Sequence, residues 1–397
     1  MAEIREEIYL VAPVRTPIGK FGGSLSSVLA PDLGAQAAAA ALARSGVPAA
    51  SVEELIFGCA RQAGVGPNVA RQIAIRSGLA NEVPAYTVNQ ACGSGMRSII
   101  NAVDQIRLGN AQVILAGGVE SMSNTPYLMT RARWGLRMGD GELTDGMMRD
   151  GFMCPIAEQM MGATAETLAD QYQISREEQD RFAVHSQKKA KEAWDGAAFA
   201  DEIVSVTLAG KKGPTTFDRD EHLRPDATVE GMAKLPPAFR ADGSVHAGNS
   251  SGITDGAAAM IVASGEQVRR LGLTPAARVR GYAQAAVDAR IMGIGPVPAT
   301  RKLLRDLRME LSDVDLIELN EAFAAQVIAC DRELGLDADR LNVHGGAIAL
   351  GHPIGATGAR IVTTLVHAMR TRNRETGLAT LCISGGMGLA MMLERAS

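Results

Sequence analysis

The sequence predicts an α/β protein made of two similar halves with an insertion. Short apolar segments alternate with alanine-rich amphipathic segments through residues 1–120, and the same alternation returns in residues 271–397. The stretch between them, 121–250, is rich in Met, Arg and Asp and breaks the alternation. Alternating strands and helices predict a mixed or parallel central sheet covered by helices. The repeated order of elements indicates an internal duplication.

The first half begins with an apolar segment and then alternates regularly. We predict strands at 8–11, 54–57, 83–88 and 112–118, and helices at 32–45, 68–77 and 95–108. Asp32 is a good residue to cap the first helix, and Gly46 is a good residue to end it.

The second half follows the same plan. We predict strands at 278–283, 316–319 and 378–383, and helices at 298–307, 321–334 and 356–372. In each half a glycine-rich loop (90–95 and 351–355) leads into a helix and then a buried strand with Gly-Gly at or near its end. The insertion holds a charged helix at 176–194 and a loop at 211–214.

Composition narrows the class of protein. Hydrophobic residues make up 46% of the chain, charged residues 21%, and the net charge is -4, so we expect no nucleic acid and no membrane as partners. The acidic start resembles neither a secretory leader nor a mitochondrial presequence, and no apolar run reaches the ~18 residues of a membrane span. We therefore expect a soluble, cytoplasmic protein.

The cysteines are an odd number and form no CxxC pair, which argues against a disulfide scaffold and a zinc site. They are Cys59, Cys92, Cys154, Cys330 and Cys382. Cys92 lies in residues 90–95 (Gln-Ala-Cys-Gly-Ser-Gly), at the start of a predicted helix. A helix N-terminus presents unpaired N–H groups and positive potential, which lower a thiol pKa and favour the thiolate. Taken alone, this context leaves a reactive thiol and a small buried cysteine about equally supported.

The segment 93–98 also approaches a dinucleotide-binding pattern, which makes a dehydrogenase a competing interpretation. That pattern requires an acidic residue about 20 positions further on, at the end of the next strand. Asp104 lies within the predicted helix and Glu120 follows Gly-Gly. We therefore reject the nicotinamide interpretation.

Three further residues have both a structural and a chemical interpretation. His352 precedes Pro353 in a loop at a helix start, where an imidazole suits proton transfer. Cys382 follows a buried strand, and a thiol of tuned pKa there is a candidate acid or base. Asn320 fits a helix cap equally well. His344 lies nearby, outside the Gly-His-Pro motif, and we take it as a loop residue.

These segments together resemble the signature segments of the thiolase family. They are Arg-Thr-Pro-Ile-Gly at 15–19, the Cys92 loop, Asn-Glu-Ala-Phe at 320–323, Gly-His-Pro-Ile-Gly at 351–355, and the Cys382 loop. The resemblance implies a thiolase-like fold: two duplicated α/β halves with mixed central sheets in a layered arrangement, plus an inserted loop domain. It assigns 1–120 with 251–270 to the N-terminal half, 121–250 to the inserted CoA-binding domain, and 271–397 to the C-terminal half.

The resemblance also implies the catalytic roles. Cys92 matches the acyl-accepting nucleophile, His352 the base that activates it, and Cys382 the acid/base that acts on the α-carbon. Asn320 matches the residue that holds a water molecule. In the family this water and the histidine together stabilise the enolate or thioester oxygen. The backbone N–H groups of Cys92 and Ser384 match those that form a second oxyanion hole in the family. Ser384 departs from the family pattern, which has glycine there, and serine fits only if the backbone does not require a positive φ.

The substrate residues implied by the same resemblance lie mainly in or near the insertion. Ser251 matches a pantetheine contact, Arg224 a position near adenine and ribose, and Phe152, Met160, Met292 and Phe323 the acyl pocket. Short-chain biosynthetic thiolases often have His at the Met160 position, so a less polar pocket is implied.

The implied activity is the reversible Claisen condensation of two acetyl-CoA to acetoacetyl-CoA and CoA through an acyl-cysteine. The alternatives are a broader 3-ketoacyl-CoA thiolase of fatty-acid degradation and a non-catalytic acyl-CoA-binding relative. The ketoacyl-carrier-protein synthases, which share the fold, use two histidines where this chain has one histidine motif and Cys382. The resemblance implies coenzyme A thioesters as substrates, no permanently bound cofactor or metal, and a homodimer or homotetramer, with an interface around 127–138.

Overall fold

The fold was analysed in a computed structural model, which describes residues 6–210 and 213–396. The strands are β1 (Ile8–Arg15), β2 (Gly19–Lys20), β3 (Glu54–Gly58), β4 (Ala85–Val88), β5 (Val113–Ser121), β6 (Tyr127–Leu128), β7 (Thr144–Asp145), β8 (Met153–Cys154), β9 (Gln159–Met160), β10 (Val206–Leu208), β11 (Thr215–Phe217), β12 (Thr254–Ser264), β13 (Pro275–Ala286), β14 (Leu316–Leu319), β15 (Thr376–Ile383) and β16 (Met387–Arg395). The helices are α1 (Ala30–Ser45), α2 (Val69–Arg76), α3 (Ser94–Arg107), α4 (Met161–Gln171), α5 (Arg176–Asp195), α6 (Val229–Ala233), α7 (Gly265–Leu271), α8 (Pro296–Leu307), α9 (Ala324–Leu334), α10 (Ala347–Leu350) and α11 (Ile354–Thr371).

The duplication predicted from the element order is present in the strand pairing. In the N-terminal half, β3 is parallel to β5, β5 is antiparallel to β12, and β12 is antiparallel to β1. In the C-terminal half, β14 is parallel to β15, β15 is antiparallel to β16, and β16 is antiparallel to β13. Each half therefore has a mixed sheet of the same topology. Antiparallel pairing of β1 with β13 joins the two into one continuous sheet.

Helices α3 and α11 lie between the two halves of this sheet. One core cluster unites apolar residues of both helices with residues of β5, β12, β15 and β16. On the outer faces, α1 and α2 cover the N-terminal sheet and α8 and α9 cover the C-terminal sheet. The close contact of α3 with α11 requires glycine, because a Cβ at Gly95 would lie 2.7 Å from the Ala359 nitrogen. The layered arrangement predicted for the fold is confirmed.

The two long strands that sequence reasoning missed are β12 and β16; the short strands β2 and β6–β11 were not predicted either. The β12 sequence contains consecutive alanines, which favour helix when considered locally. In the folded chain β12 is buried between β1 and β5, and this tertiary environment overrides the local preference. The long strand β16 completes the C-terminal sheet directly after the Cys382 loop.

Two predicted helix starts were wrong. Helix α1 begins at Ala30, so Asp32 lies in its first turn and Leu29 occupies the cap position, while Gly46 ends it in the left-handed conformation as predicted. The helix predicted at 321–334 begins only at Ala324, with Phe323 at its N-cap. Asn320 therefore does not cap this helix, and the helix-cap interpretation of that residue was wrong.

Between β5 and β12 the chain leaves the large sheet and lies over the carboxyl end of β15. It contains the charged helix α5, which begins with a reciprocal capping box between Ser175 and Glu178. The loop predicted at 211–214 lies partly outside the described residues, and the domain boundaries remain a prediction. Among the described helices, none combines the length and apolarity that crossing a membrane would require.

Candidate active site

A cavity of about 820 Å³ opens between the insertion and the two halves. It brings together residues that are far apart in the sequence: Cys92, Phe152, Met160, Arg224, Ser251, Met292, Phe323, His352, Cys382 and Ser384 all line it. Of the residues predicted for the site, Asn320 is the one that is absent from the lining. Two predicted thiols, the predicted imidazole of His352 and a largely apolar wall thus share one space.

Cys92 lies in the tight turn between β4 and α3. The Ser94 hydroxyl organises this turn, because it accepts from the Gln90 N–H at 2.9 Å and donates to the Ala91 carbonyl at 2.7 Å. Ala91 has a φ of 46°, an unfavourable value for a residue with a side chain. The turn places Cys92 two residues before the first residue of α3, as the sequence predicted.

Burial is the main influence on the Cys92 thiol, and it raises its pKa. This is opposite to the direction predicted from the helix N-terminus, because desolvation disfavours the thiolate more than the local positive potential favours it. Three groups lower the Cys92 pKa and so oppose the effect of burial: the Arg61 guanidinium and the backbone N–H groups of Ser384 and of Cys92 itself. The thiol is therefore mainly protonated at rest and requires a base.

His352 has the geometry of that base. Its Nδ1 lies 2.6 Å from the Thr357 Oγ1, and this hydroxyl donates its own proton to the Pro353 carbonyl at 3.0 Å. The hydroxyl can then only accept from the ring, so Nδ1 carries the proton and Nε2 has a free lone pair. Thr357 therefore fixes the tautomer that can accept a proton through Nε2.

Burial lowers the pKa of His352 to about 3, and the positive charges of Arg360 and Arg61 act in the same direction. The ring is buried, with 7% of its surface exposed. It is consequently neutral at physiological pH, which is the state required of a general base.

Cys382 is the penultimate residue of β15 and lies in the cavity wall, where it is almost completely buried. Burial raises its pKa well above the ordinary value, and the neighbouring Cys92 raises it further. The two thiols are thus electrostatically coupled, because a negative charge on one disfavours a negative charge on the other.

Ser384 is compatible with the oxyanion site predicted for its backbone. Its φ is not among the positive values, whereas Gly385 and Gly386 have φ of 85° and 87°. The serine therefore occupies its position without the strain that the departure from glycine suggested. Its N–H is directed at the Cys92 sulfur, which is the geometry of one oxyanion donor.

Asn320 follows β14 directly, and its backbone N–H donates to the Thr380 carbonyl at 3.0 Å. Its side-chain oxygen and nitrogen are buried and make no hydrogen bond within the described residues. A buried amide without protein partners is costly, so its donor and acceptor groups are available to a buried water molecule.

The residues predicted for substrate binding form the wall and mouth of the cavity. Phe323 stacks edge to face on Phe239, with their ring centroids 6.1 Å apart. Ser251 is fixed by its backbone N–H, which donates to the Ala322 carbonyl at 3.0 Å. Phe239 was not predicted from the sequence.

Sequence reasoning also missed Arg61, Glu120, Thr357 and His222. Arg61 and His222 line the cavity. The buried Glu120 carboxylate accepts from the backbone N–H groups of Ala60, Arg61 and Gly355, and so connects the two halves beside the thiols. A usable signal existed for Arg61, because it follows β3, and the carboxyl ends of parallel strands converge on ligand sites.

Family comparison agrees with this geometry. The family model described as the N-terminal domain of thiolase matches residues 8–266, and the one for the C-terminal domain matches residues 273–395. The chain belongs to the thiolase family. Residues of both domains line the cavity, so the complete site requires both.

Individual relatives cover almost the full length of this thiolase. It is 50% identical to an acetyl-CoA acetyltransferase of Escherichia coli K12, over 97% of this chain and 98% of that protein. The crystal structure of the Bacillus anthracis acetyl-CoA acetyltransferase superposes with a TM-score of 0.96 at 45% identity, covering 98% and 99% of the two chains. Human mitochondrial 3-ketoacyl-CoA thiolase in complex with CoA gives a TM-score of 0.95 at 41% identity, covering both chains fully.

Proposed function

We propose that this thiolase is an acetyl-CoA acetyltransferase, which condenses two acetyl-CoA to acetoacetyl-CoA and CoA and catalyses the reverse cleavage. The observation that carries the proposal is the meeting of Cys92, His352 and Cys382 in one cavity, with two backbone N–H groups directed at the Cys92 sulfur. The similarity to acetyl-CoA acetyltransferases over the whole chain supports the acetyl preference.

In the first half-reaction, Nε2 of His352 accepts the Cys92 proton as the sulfur attacks the thioester carbonyl. The N–H groups of Cys92 and Ser384 stabilise the oxyanion, a contribution of about 10²–10³ in rate per donor. The C–S bond to CoA breaks, the Cys382 thiol donates its proton to the departing CoA thiolate, and the acyl group remains on Cys92. Splitting the reaction through a covalent acyl-enzyme avoids one difficult step.

In the second half-reaction, the Cys382 thiolate removes an α-proton from acetyl-CoA. Acylation has removed the possibility of charge on Cys92, so one of the causes that raise the Cys382 pKa is absent at this stage. His352 and a water held by Asn320 stabilise the enolate oxygen. The carbanion attacks the acyl group, and Cys92 leaves as a thiolate that recovers its proton from His352.

A broader 3-ketoacyl-CoA thiolase is the second candidate. The wall of the cavity contains Met148, Phe152, Met160, Met161 and Met292, and methionine adapts readily to different apolar shapes. Similarity to human mitochondrial 3-ketoacyl-CoA thiolase also supports this candidate.

The test is the CoA-dependent cleavage of acetoacetyl-CoA beside 3-ketoacyl-CoA of six to ten carbons, in the wild type and Cys92→Ala. A short-chain preference that the substitution abolishes supports the acetyltransferase. Equal or faster turnover of longer chains moves the assignment to the broader thiolase. Activity that survives Cys92→Ala would contradict the mechanism.

We further propose a cytoplasmic homodimer or homotetramer. The edge strand β4 is only half-buried and pairs on one side alone among the described strands, which suits pairing with a second copy. A group of large apolar side chains within 127–143 is exposed, including Trp134 at 87% and Met138 at 97%, which suits a further interface. Sedimentation of the wild type and Trp134→Ser at several concentrations tests this: a monomer in the wild type at every concentration would exclude both assemblies.

A further inference from the structure

Arg61 is a charged residue in the cavity to which the proposed acetyl transfer gives no proton-transfer or substrate-binding role, although its charge favours the Cys92 thiolate. Only 9% of its surface is exposed, yet it lines the cavity close behind the carboxyl end of β3. Its Nε is buried without a hydrogen-bond partner, and its side chain forms no hydrogen bond and no ion pair with any described residue. A buried guanidinium with an unsatisfied N–H is costly, so its unused donor indicates a ligand that completes it.

The position of Arg61 is at the thiol end of the cavity. Ala60 packs with Cys92, Phe152 and Ile354 in one apolar cluster, which places the neighbouring Arg61 beside the acyl-accepting sulfur. Its charge influences the pKa of both Cys92 and His352, whereas Arg224, which also lines the cavity, influences neither. Arg224 thus suits the CoA end, and Arg61 the acyl end.

The backbone of the insertion holds the Arg61 side chain in place. A Cβ added at Gly151 would lie 2.6 Å from Nη2 and 2.7 Å from Nε, so the guanidinium packs directly on this glycine. The Arg61 charge opposes the rise that burial causes in the pKa of Glu120, so the two groups interact, yet the hydrogen bonds of this carboxylate come from three backbone N–H groups. The Asp150 Oδ1 lies 3.7 Å from the Arg149 Nε. Neither forms an ion pair with Arg61 in the described structure.

We propose that Arg61 binds a carboxylate at the far end of the acyl chain, so that the enzyme accepts 3-oxodicarboxylyl-CoA thioesters. This inference rests on the proposed thiolase activity and specifies its substrate class. Cleavage breaks the bond between carbons 2 and 3, leaves the carboxylate-bearing acyl group on Cys92, and releases acetyl-CoA after Cys382 protonates carbon 2. A second CoA then takes the acyl group. The fork of guanidinium donors matches a carboxylate in a bidentate manner.

The experiment compares kcat/KM for the six-carbon 3-oxodicarboxylyl-CoA and for 3-oxohexanoyl-CoA, which has the same length and no carboxylate. In the wild type we expect the carboxylate substrate to be favoured. Arg61→Leu should reduce that preference about 10- to 100-fold, the effect of one charge-assisted pair, with the neutral substrate less affected. Arg61→Lys keeps the positive charge but loses the paired donors of the guanidinium. Its preference for the carboxylate substrate should lie between those of the wild type and Arg61→Leu.

Further variants separate the possible roles of Arg61. Gly151→Ala keeps the arginine but displaces its guanidinium, and it should also reduce the preference. If Arg61→Leu slows both substrates equally, Arg61 serves the Cys92 thiolate or the local structure, and the proposal is overturned. A wild type that cleaves 3-oxohexanoyl-CoA but not the dicarboxylyl substrate overturns it too, while leaving the thiolase activity intact. No Cys92-dependent cleavage of any thioester would instead contradict the proposed function itself.

Discussion

The two halves of the molecule share a topology but contribute different chemistry. The loop before α3 carries Cys92, and the loop before its counterpart α11 carries His352. The strand β15 ends in Cys382, whereas its counterpart β5 ends near Glu120, whose carboxylate accepts backbone hydrogen bonds. Because α3 and α11 pack together at the centre, their preceding loops meet at one place. Duplication thus gave a shared location, and divergence of single residues placed a thiol on one side and an imidazole on the other, which are the proposed nucleophile and base.

The edges of the two sheets differ as well. The N-terminal edge strand β4 is half-buried along its length, while the C-terminal edge strand β14 is fully buried. A bridge between Ile317 and Leu341 covers the β14 edge. An exposed edge is open to pairing and a covered edge is not. The N-terminal half is therefore the one suited to assembly.

The largest expected effect is the loss of activity when either cavity cysteine is replaced. The two replacements should differ in which half-reaction they stop. Cys92→Ala and Cys382→Ala should each reduce acetoacetyl-CoA cleavage by at least about 10⁴-fold, because each removes a group that acts on a reacting atom. Only Cys382→Ala should still form an acyl-enzyme from acetyl-CoA, detectable by intact mass. Cys330→Ala, a buried thiol outside the cavity lining, serves as the control and should retain activity. An acyl-enzyme in Cys92→Ala would mean that the halves do not divide the chemistry in this way.

A smaller effect is expected at Thr357, which orients the base of the C-terminal half. Thr357→Val keeps the shape but removes the acceptor for Nδ1–H, so we expect kcat to fall about tenfold with little change in KM. Thr357→Ser restores the hydroxyl and should recover most of the activity. Equal activity of the valine variant would show that the tautomer is fixed by other means.

Ser384 offers a finer test of the C-terminal oxyanion donor. Ser384→Gly keeps the N–H and gives the residue that the family has at this position. Since the serine backbone is not in the positive-φ region, we expect a change in kcat/KM within about threefold. A large gain in the glycine variant would indicate strain at the serine, contrary to its backbone conformation.

The smallest change is expected from acidification. His352 has a pKa of about 3, so its active neutral form persists as the pH falls from 7.5 to 5.5. The rate of acyl-enzyme formation should therefore stay nearly flat over this interval, measured as kcat/KM for acetyl-CoA. A histidine that titrates at its ordinary value of about 6.5 would lose about tenfold at pH 5.5, and that result would contradict the buried neutral base.

The sequence alone determined the element order, the duplication and the motifs whose residues Cys92, His352 and Cys382 line the cavity. Alternating apolar segments and glycine-rich loops act over a few neighbouring residues, so β14 was predicted with its correct bounds and the helix after the Cys92 turn with an error of one residue at each end. The resemblance to thiolases then predicted that Cys92, His352 and Cys382 share one site, and all three line the cavity. The element order depends on neighbouring residues, and the candidate site residues belong to short motifs, so both can be predicted from the sequence.

Only the tertiary structure decided the properties that depend on packing between distant segments. The alanine-rich β12 became a strand because β1 and β5 surround it, and Asn320 lost its capping role because α9 begins four residues later. The direction of the Cys92 pKa shift and the exposure of Arg61 to the cavity follow from burial by chain segments far away in sequence. Desolvation and long-range charge depend on the whole folded environment, which no local pattern records.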